Sequence, residues 1–304
     1  MKVVKYLIVI VGPTGVGKTE VAIELALHFN TEILSADSRQ FYRELNIGTA
    51  KPTSQQLSRI NHYFINSLTI LDDYNAGNFE SDALKILEEC FQHNQTLILC
   101  GGSGLYINAV CQGLDEIPHV PDGIREALNQ EFALKGLNDL LKELKSLDPI
   151  FYQKIDKNNP QRVIRALEVC RSTGRPYSTF RHNKKKDREF KIIKIGLERD
   201  REELYLLIEQ RVDDMIASGL FEEAEGLFDY RFKNAMQTVG YQEIFGYLEG
   251  AYDREEAVKL LKRNTKRYVK RQFTWFKKDP GIQWFHPQEF SSIINFITQI
   301  IKKY

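Results

Sequence analysis

The sequence predicts an α/β protein: a parallel sheet with helices on both faces, interrupted by a mainly helical insertion. Three observations carry this. Apolar runs of strand length alternate with stripes of helical period over residues 5–100. A glycine-rich turn separates the first run from the first stripe. Residues 115–189 hold no convincing strand. Alternating strands and helices build parallel sheets that are covered on both sides.

Residues 5–11 read as a buried strand. Lys18–Phe29 reads as a helix with Val21, Ala22, Leu25, Ala26 and Phe29 on one stripe. A strand follows at Ile33–Ala36, then an irregular stretch to about Asn78, a helix near Phe79–Asn94 and a strand at Thr96–Cys100. Asp122, Asp148-Pro149 and Asn159-Pro160 open helices inside the insertion, with Pro160 at a first helical position. Thr173-Gly174-Arg175-Pro176 stops the last of them, and Lys184-Lys185-Lys186 marks an exposed loop. Lys191–Leu197 returns as a strand. The remainder is mainly helical. Asp200 with Glu203, and Asp253 with Glu256, make capping-box starts, the second before a long helix to about Lys278. Gln283–Phe285 reads as a last short strand. The expected domains are 1–114 with 190–304 as the α/β core, and 115–189 as the insertion.

A chain of 304 residues is long enough for this plan. Its 42 Lys and Arg balance 41 Asp and Glu, which excludes a globally basic coat but not local basic patches. The longest apolar run, Tyr6–Val11, is too short to span a bilayer, so no membrane partner is expected. It reads as a first strand rather than a leader peptide. Cys90, Cys100, Cys111 and Cys170 show no metal-ligand spacing, and read as reduced thiols of a cytoplasmic protein.

The glycine turn is Gly12-Pro13-Thr14-Gly15-Val16-Gly17-Lys18-Thr19, a GxxxxGK[ST] phosphate loop between strand and helix. Its backbone N–H groups and the helix N-terminus suit phosphate oxygens. Lys18 adds a point charge, and the Thr19 hydroxyl suits Mg2+. The core is therefore P-loop NTPase-like, although the motif leaves open whether the phosphates belong to a nucleotide or another diphosphate. Ligands bind beyond the carboxyl ends of parallel strands, where Asp37 also lies. It reads as a general base, a water-mediated metal ligand or a turn residue. Arg39 and Gln40 beside it suit phosphate and adenine-edge contacts. Gly101-Gly102-Ser103-Gly104 repeats the strand–glycine–helix pattern and places the Ser103 hydroxyl at a helix start. No acidic residue ends the strand at 96–100, which counts against a hydrolytic motor. His62, in an extended stretch with Tyr63 and Phe64, is assigned no role.

Two helices are basic. Pro160–Arg171 carries Arg162, Arg165 and Arg171, with Ile164, Leu167 and Val169 as its core side. The long helix after Asp253 carries Lys259, Arg263, Lys266, Arg267, Lys270 and Arg271, most of them along one side. A solvated face and a nucleic-acid footprint both fit. Tyr268, Phe273, Trp275 and Phe276 read as core rather than base-stacking.

In this order the motifs GPTGVGKT (12–19), DSRQFY (37–42), GTAKP (48–52), DYNAGNFESDA (73–83) and GGSGLY (101–106) resemble one family. NPQRVIRALEVCRSTGRP (159–176), RVDDMIASGL (211–220), VGYQEI (239–244) and TKRYVKRQFTWFKK (265–278) complete the match. It is the tRNA dimethylallyltransferase, or IPP transferase, family. The resemblance implies that the N6 amine of an adenosine beside the anticodon (adenosine-37) attacks C1 of dimethylallyl diphosphate, and diphosphate leaves. The adenosine is flipped out of the stem-loop into the core. By resemblance, the loop from Gly12 to Thr19 cradles the diphosphate, with Mg2+ at Thr19. Asp37, Ser103 and Arg211 are catalytic, with Asp37 taking the amine proton. Asp37, Ser38, Arg39, Gln40, Ser103, Arg125, Gln161, Arg162, Val163, Ile164 and Arg165 contact tRNA, as do Gly240, Tyr241, Gln242, Lys270, Arg271 and Gln272. The insertion and the long helix grip two sides of the anticodon stem-loop, and the protein is a monomer. This chain departs from the family pattern with Ser103 in place of threonine and with Asn61-His62-Tyr63 where paired histidines and an aliphatic residue are usual. Three other readings compete: a P-loop small-molecule kinase, a prenyltransferase of free adenine nucleotides, and a non-catalytic RNA-binding module.

Overall fold

Among the described residues six strands form one sheet, in the order β3-β2-β4-β1-β5-β6 with the numbering in chain order, every neighbouring pair parallel. The strands are β1 Tyr6–Val11, β2 Ile33–Ser35, β3 His62–Tyr63, β4 Thr96–Gly101, β5 Lys191–Leu197 and β6 Ile282–Phe285. The computed structural model describes residues 3–121, 123–182 and 184–303.

The sheet forms where the chain cannot afford exposure on either face. Tyr6, Ile8 and Ile10 enter one apolar cluster and Leu7, Val9 and Val11 the other, and all are buried. Period-two alternation therefore feeds both faces of β1, as an uninterrupted apolar strand requires. One cluster takes in helix Lys18–Phe29 and helix Phe290–Lys302; the other takes in helix Ala76–Cys90 and the segments around Phe221, Met236 and Tyr241.

The chain divides into two compact units, one of residues 1–111 with 188–304 and one of residues 112–187. The second holds helices Ile124–Lys135, Leu137–Leu147, Pro149–Lys154 and Pro160–Thr173 around its own core of Leu128, Leu140, Leu144 and Leu167. Fully buried Asp148 caps Pro149–Lys154 by accepting from the Phe151 N–H at 2.9 Å, and accepts from Ser178 N at 2.6 Å as well. Asn159 accepts from the Arg162 N–H at 3.2 Å, with Pro160 at the first turn. The cap expected at Asp122 lies outside the described residues.

Some expectations shift. The helix expected near Phe79–Asn94 runs Ala76–Cys90, because Asn75 and Asn78 cap each other three residues earlier. Asp200 makes no side-chain cap; Glu203 turns instead to Arg199 and His286. Asp253 does cap, accepting from Glu256 N at 2.8 Å, before helix Arg254–Phe276. Among the described residues no helix is long and apolar enough to cross a membrane.

Candidate active site

Strands β2, β4 and β1 are neighbours, so the turns at their carboxyl ends lie side by side. Gly12–Thr19 follows β1, Asp37 follows β2 and Gly101-Gly102 closes β4. Gly17 precedes helix Lys18–Phe29 at φ +107°, a conformation that side chains disfavour. Val16 is buried in the apolar cluster below and anchors the loop, and Arg199 Nε donates to its carbonyl at 3.0 Å. The N–H of Thr14 donates to Gln272 Oε1 at 2.9 Å, while Gln272 Nε2 donates to the Gly102 carbonyl at 3.0 Å. Gln272 thus joins both glycine turns from the long C-terminal helix. Its amide is bonded to both turns, and its side chain also borders the second cavity described below.

Two cavities open on this floor. One, of about 320 Å³, is lined by Thr14, Gly15, Gly17, Lys18 and Thr19 together with Asp37, Lys51, Gln56, His62 and Arg211. The other, of about 300 Å³, is lined by Arg39, Gly48, Thr49, Gly240, Tyr268 and Arg271 among others. Thr14, Lys18, Asp37 and Arg211 line both. Each has the size of a small-ligand pocket. The shared walls put a cationic pair and one carboxylate where the two spaces meet.

Burial strips water from the Lys18 ammonium and pushes it down to about 8, with the charge of Asp37 opposing the shift. Its Nζ donates to the Pro13 carbonyl at 2.7 Å. Burial lowers Arg211 as well, and Asp37 again opposes. The Asp37 carboxylate accepts from the Arg39 N–H at 3.0 Å, fixing the turn after β2. Cys100, under Lys18, is held up at about 12 by burial, so it stays a thiol. Thr19 and Asp37 supply hard oxygen donors of the type Mg2+ takes beside substrate phosphates and water.

Several expected site residues do other work. Ser103 lines neither cavity. Its Oγ accepts from the Ser38 N–H at 3.0 Å and bonds Ser38 Oγ at 3.1 Å, so it braces the turn that carries Asp37. Gln40 donates to the Thr49 and Ala50 carbonyls at 3.3 Å, which occupies the amide expected to read adenine. Arg39 donates to the Asn234 carbonyl at 2.9 Å, yet still lines the second cavity. Tyr241 is wholly buried, and Gly240 lines the cavity in front of it. Gln242, Lys270 and Arg271 are exposed.

In the second unit, Val163 and Ile164 pack in the core, so their side chains cannot reach RNA. Gln161 and Arg162 are exposed. Buried Glu168 holds two guanidinium groups, Arg125 and Arg165, each at 3.0 Å, and Arg125 also donates to Gln161 at 3.0 Å. Arg171 is spent on Glu131 and Glu143. On helix Arg254–Phe276, Lys259 pairs with Glu255 and Lys266 with Glu209.

The residues missed by sequence reasoning are Lys51, Gln56 and His62, all on the first cavity. Lys51 Nζ turns onto protein oxygens, Tyr42 O at 2.5 Å and Asn66 Oδ1 at 2.6 Å among them. The His62 Nδ1 bonds the Ile60 carbonyl at 2.8 Å, and burial lowers the imidazole. Its one signal in the sequence was its place where the resembled family usually carries paired histidines; the short edge strand that it opens was read as irregular.

The profile of the IPP transferase family matches residues 40–279. The chain belongs to that family. A tRNA dimethylallyltransferase of Cytophaga hutchinsonii is 51% identical, covering 96% of this chain and 96% of the relative. A tRNA dimethylallyltransferase 2 of Parabacteroides distasonis is 48% identical, covering 97% and 99%. Among solved structures, a tRNA isopentenylpyrophosphate transferase of Bacillus halodurans is 35% identical at a TM-score of 0.72, covering 98% of this chain and 97% of that one. A eukaryotic dimethylallyltransferase acting on tRNA is 26% identical at a TM-score of 0.73, covering 89% and 69%. The IPP transferase profile begins beyond the phosphate loop, so the match does not rest on that generic motif.

Proposed function

We propose that the chain transfers a dimethylallyl group from dimethylallyl diphosphate to N6 of the adenosine beside the anticodon in tRNA. The observation that carries this is the meeting of two cavities at Thr14, Lys18, Asp37 and Arg211 in a member of this family. The diphosphate lies in the phosphate-loop cavity and the flipped adenosine in the other. The amine nitrogen forms a bond to C1 as the C1–O bond breaks. Asp37 takes the proton that the nitrogen loses. Lys18 and Arg211 hold the charge that gathers on the departing diphosphate. Thr19 would hold Mg2+, which supplies further neutralisation of that charge when bound. Arg162, Arg165 and Arg125 of the second unit, and Lys270 and Arg271 of the first, bind RNA phosphates. The protein acts as a monomer in the cytoplasm, where its tRNA is.

Mass spectrometry of an anticodon stem-loop incubated with enzyme, Mg2+ and dimethylallyl diphosphate tests the reading. The expected product carries one added dimethylallyl group on adenosine. No product there, with phosphate transferred from ATP to a small acceptor, would replace it with a kinase.

A further inference from the structure

We propose that Glu223 is the positioning residue that fixes the width of the cavity taking the adenosine. The proposal rests on the prenyl-transfer reading above. Glu223 stands on the short helix Leu220–Gly226. Its Oε2 accepts from the N–H groups of Asn46 and Ile47 at 3.0 and 2.9 Å. Its Oε1 accepts from Gly48 N at 3.0 Å and from the Tyr241 hydroxyl at 2.6 Å. One carboxylate therefore receives four donors from two distant segments.

Both segments, and the helix of Glu223 itself, contribute to the adenosine-side cavity through Gly48 and Thr49, Gly240, and Leu220. Gly48 lies flat on the Tyr241 ring: a Cβ there would stand 2.6 Å from ring carbons. Tyr241, Gly48 and Glu223 thus form a closed triangle behind the cavity wall. A carboxylate is the group that accepts on both oxygens at once. An amide must turn its NH2 toward one pair of donors, and a backbone N–H in that pair is then left facing another N–H. The wall would move where the nucleoside enters, while the phosphate loop, which is not among the hydrogen-bond partners of Glu223, would stay.

The test uses the full chain with Glu223→Gln and Tyr241→Phe. Steady-state rates are measured against both substrates. Binding is measured with a stem-loop carrying 2-aminopurine at the acceptor position, which brightens when unstacked. For Glu223→Gln the KM for RNA should rise by roughly tenfold, the scale of a lost charge-assisted hydrogen bond. Tyr241→Phe should give a smaller rise. The KM for dimethylallyl diphosphate should stay within about twofold in both, since its phosphate site keeps its bonds, and the 2-aminopurine signal at saturation should fall. Unchanged RNA KM with full brightening in folded variants would overturn the proposal. So would a parallel rise in both KM values, which marks general loosening. If Glu223→Gln does not fold, Tyr241→Phe, which removes one hydroxyl, decides alone. Wild type that brightens the probe but prenylates nothing would remove the donor assignment and leave the variants able to decide on Glu223. Wild type that neither binds nor prenylates would take both readings away.

Discussion

Arg211 and Arg165 both answer to a carboxylate, but in opposite settings. Arg211 is enclosed beside Asp37 at the junction of two cavities, where burial weakens its hold on a proton. In the second unit the arginine is the exposed partner and the carboxylate, Glu168, is the buried one. The first arrangement holds its charges half-buried at the foot of two cavities, where they are screened less than at the surface, so a small ligand feels them strongly. The second anchors the stem of a guanidinium and leaves its edge to solvent, which suits a large, salt-screened polyanion. The two regions therefore differ in what they should change when altered: rate in one, affinity in the other.

The sharpest break would come from Asp37→Asn. Single-turnover transfer should slow by about 10²–10⁴, the usual range for a lost general base, with RNA affinity kept. A rate near wild type would move the proton elsewhere. Next comes Lys18. Its ammonium loses its proton near 8 in the folded chain and near 10.5 when exposed. The unfolded chain therefore binds more protons between those values, and the contribution of this group to stability rises with pH across that window. Diphosphate binding needs the protonated form, so affinity for inorganic diphosphate, followed by calorimetry, should fall as pH climbs past about 8. Lys18→Met should remove that excess slope and weaken binding by roughly ten- to a hundredfold, the worth of hydrogen bonds to a charged group.

Smaller effects belong to the surface region. Arg162→Ala with Arg165→Ala should weaken stem-loop binding and flatten its salt dependence by roughly one unit per lost phosphate contact. Saturated single-turnover rates should hardly move. Thermal unfolding separates the loss of the Glu168 bridge from the loss of RNA contact, and an unchanged salt slope in the folded variant would end the comparison. The smallest change is expected at His62. Its imidazole lines the phosphate-loop cavity but spends Nδ1 on a carbonyl, so His62→Asn should stay within a few fold in turnover, measured at saturating substrates.

Local chemistry made much of this legible. The six residues of β1, the phosphate loop and helix Lys18–Phe29 follow from apolar runs and glycine placement, and all three lie where the pattern put them. Asp37 followed from the rule that ligands gather at strand ends. What a linear motif cannot carry is which way each side chain turns. Within QRVIRALE, helical period put Ile164 in the core while the family resemblance put it against tRNA; the side chain is buried. Gln272 and Tyr241 were named with their motifs, yet each faces inward toward partners far away in sequence, Thr14 and Gly102 for one and Glu223 for the other. Ser103 shows the same limit at shorter range, since only the fold reveals that Ser38 is its partner. Lys51 and His62 had no periodic or spacing signal of their own.

The interior strand β1 has a consequence for how the chain is made. β1, at Tyr6–Val11, is made long before one of its neighbours, β5, at 191–197. At about 5–20 residues per second, that edge waits roughly ten to forty seconds for its partner. The second unit, encoded between them, is locally connected and has its own core, so it can mature during the wait. The floor under Asp37 is later still, because the glutamine that ties its two glycine turns lies in the last long helix. A nascent chain therefore holds this apolar strand edge open until β5 has emerged, and ties the two glycine turns only after the helix that carries Gln272 has been made.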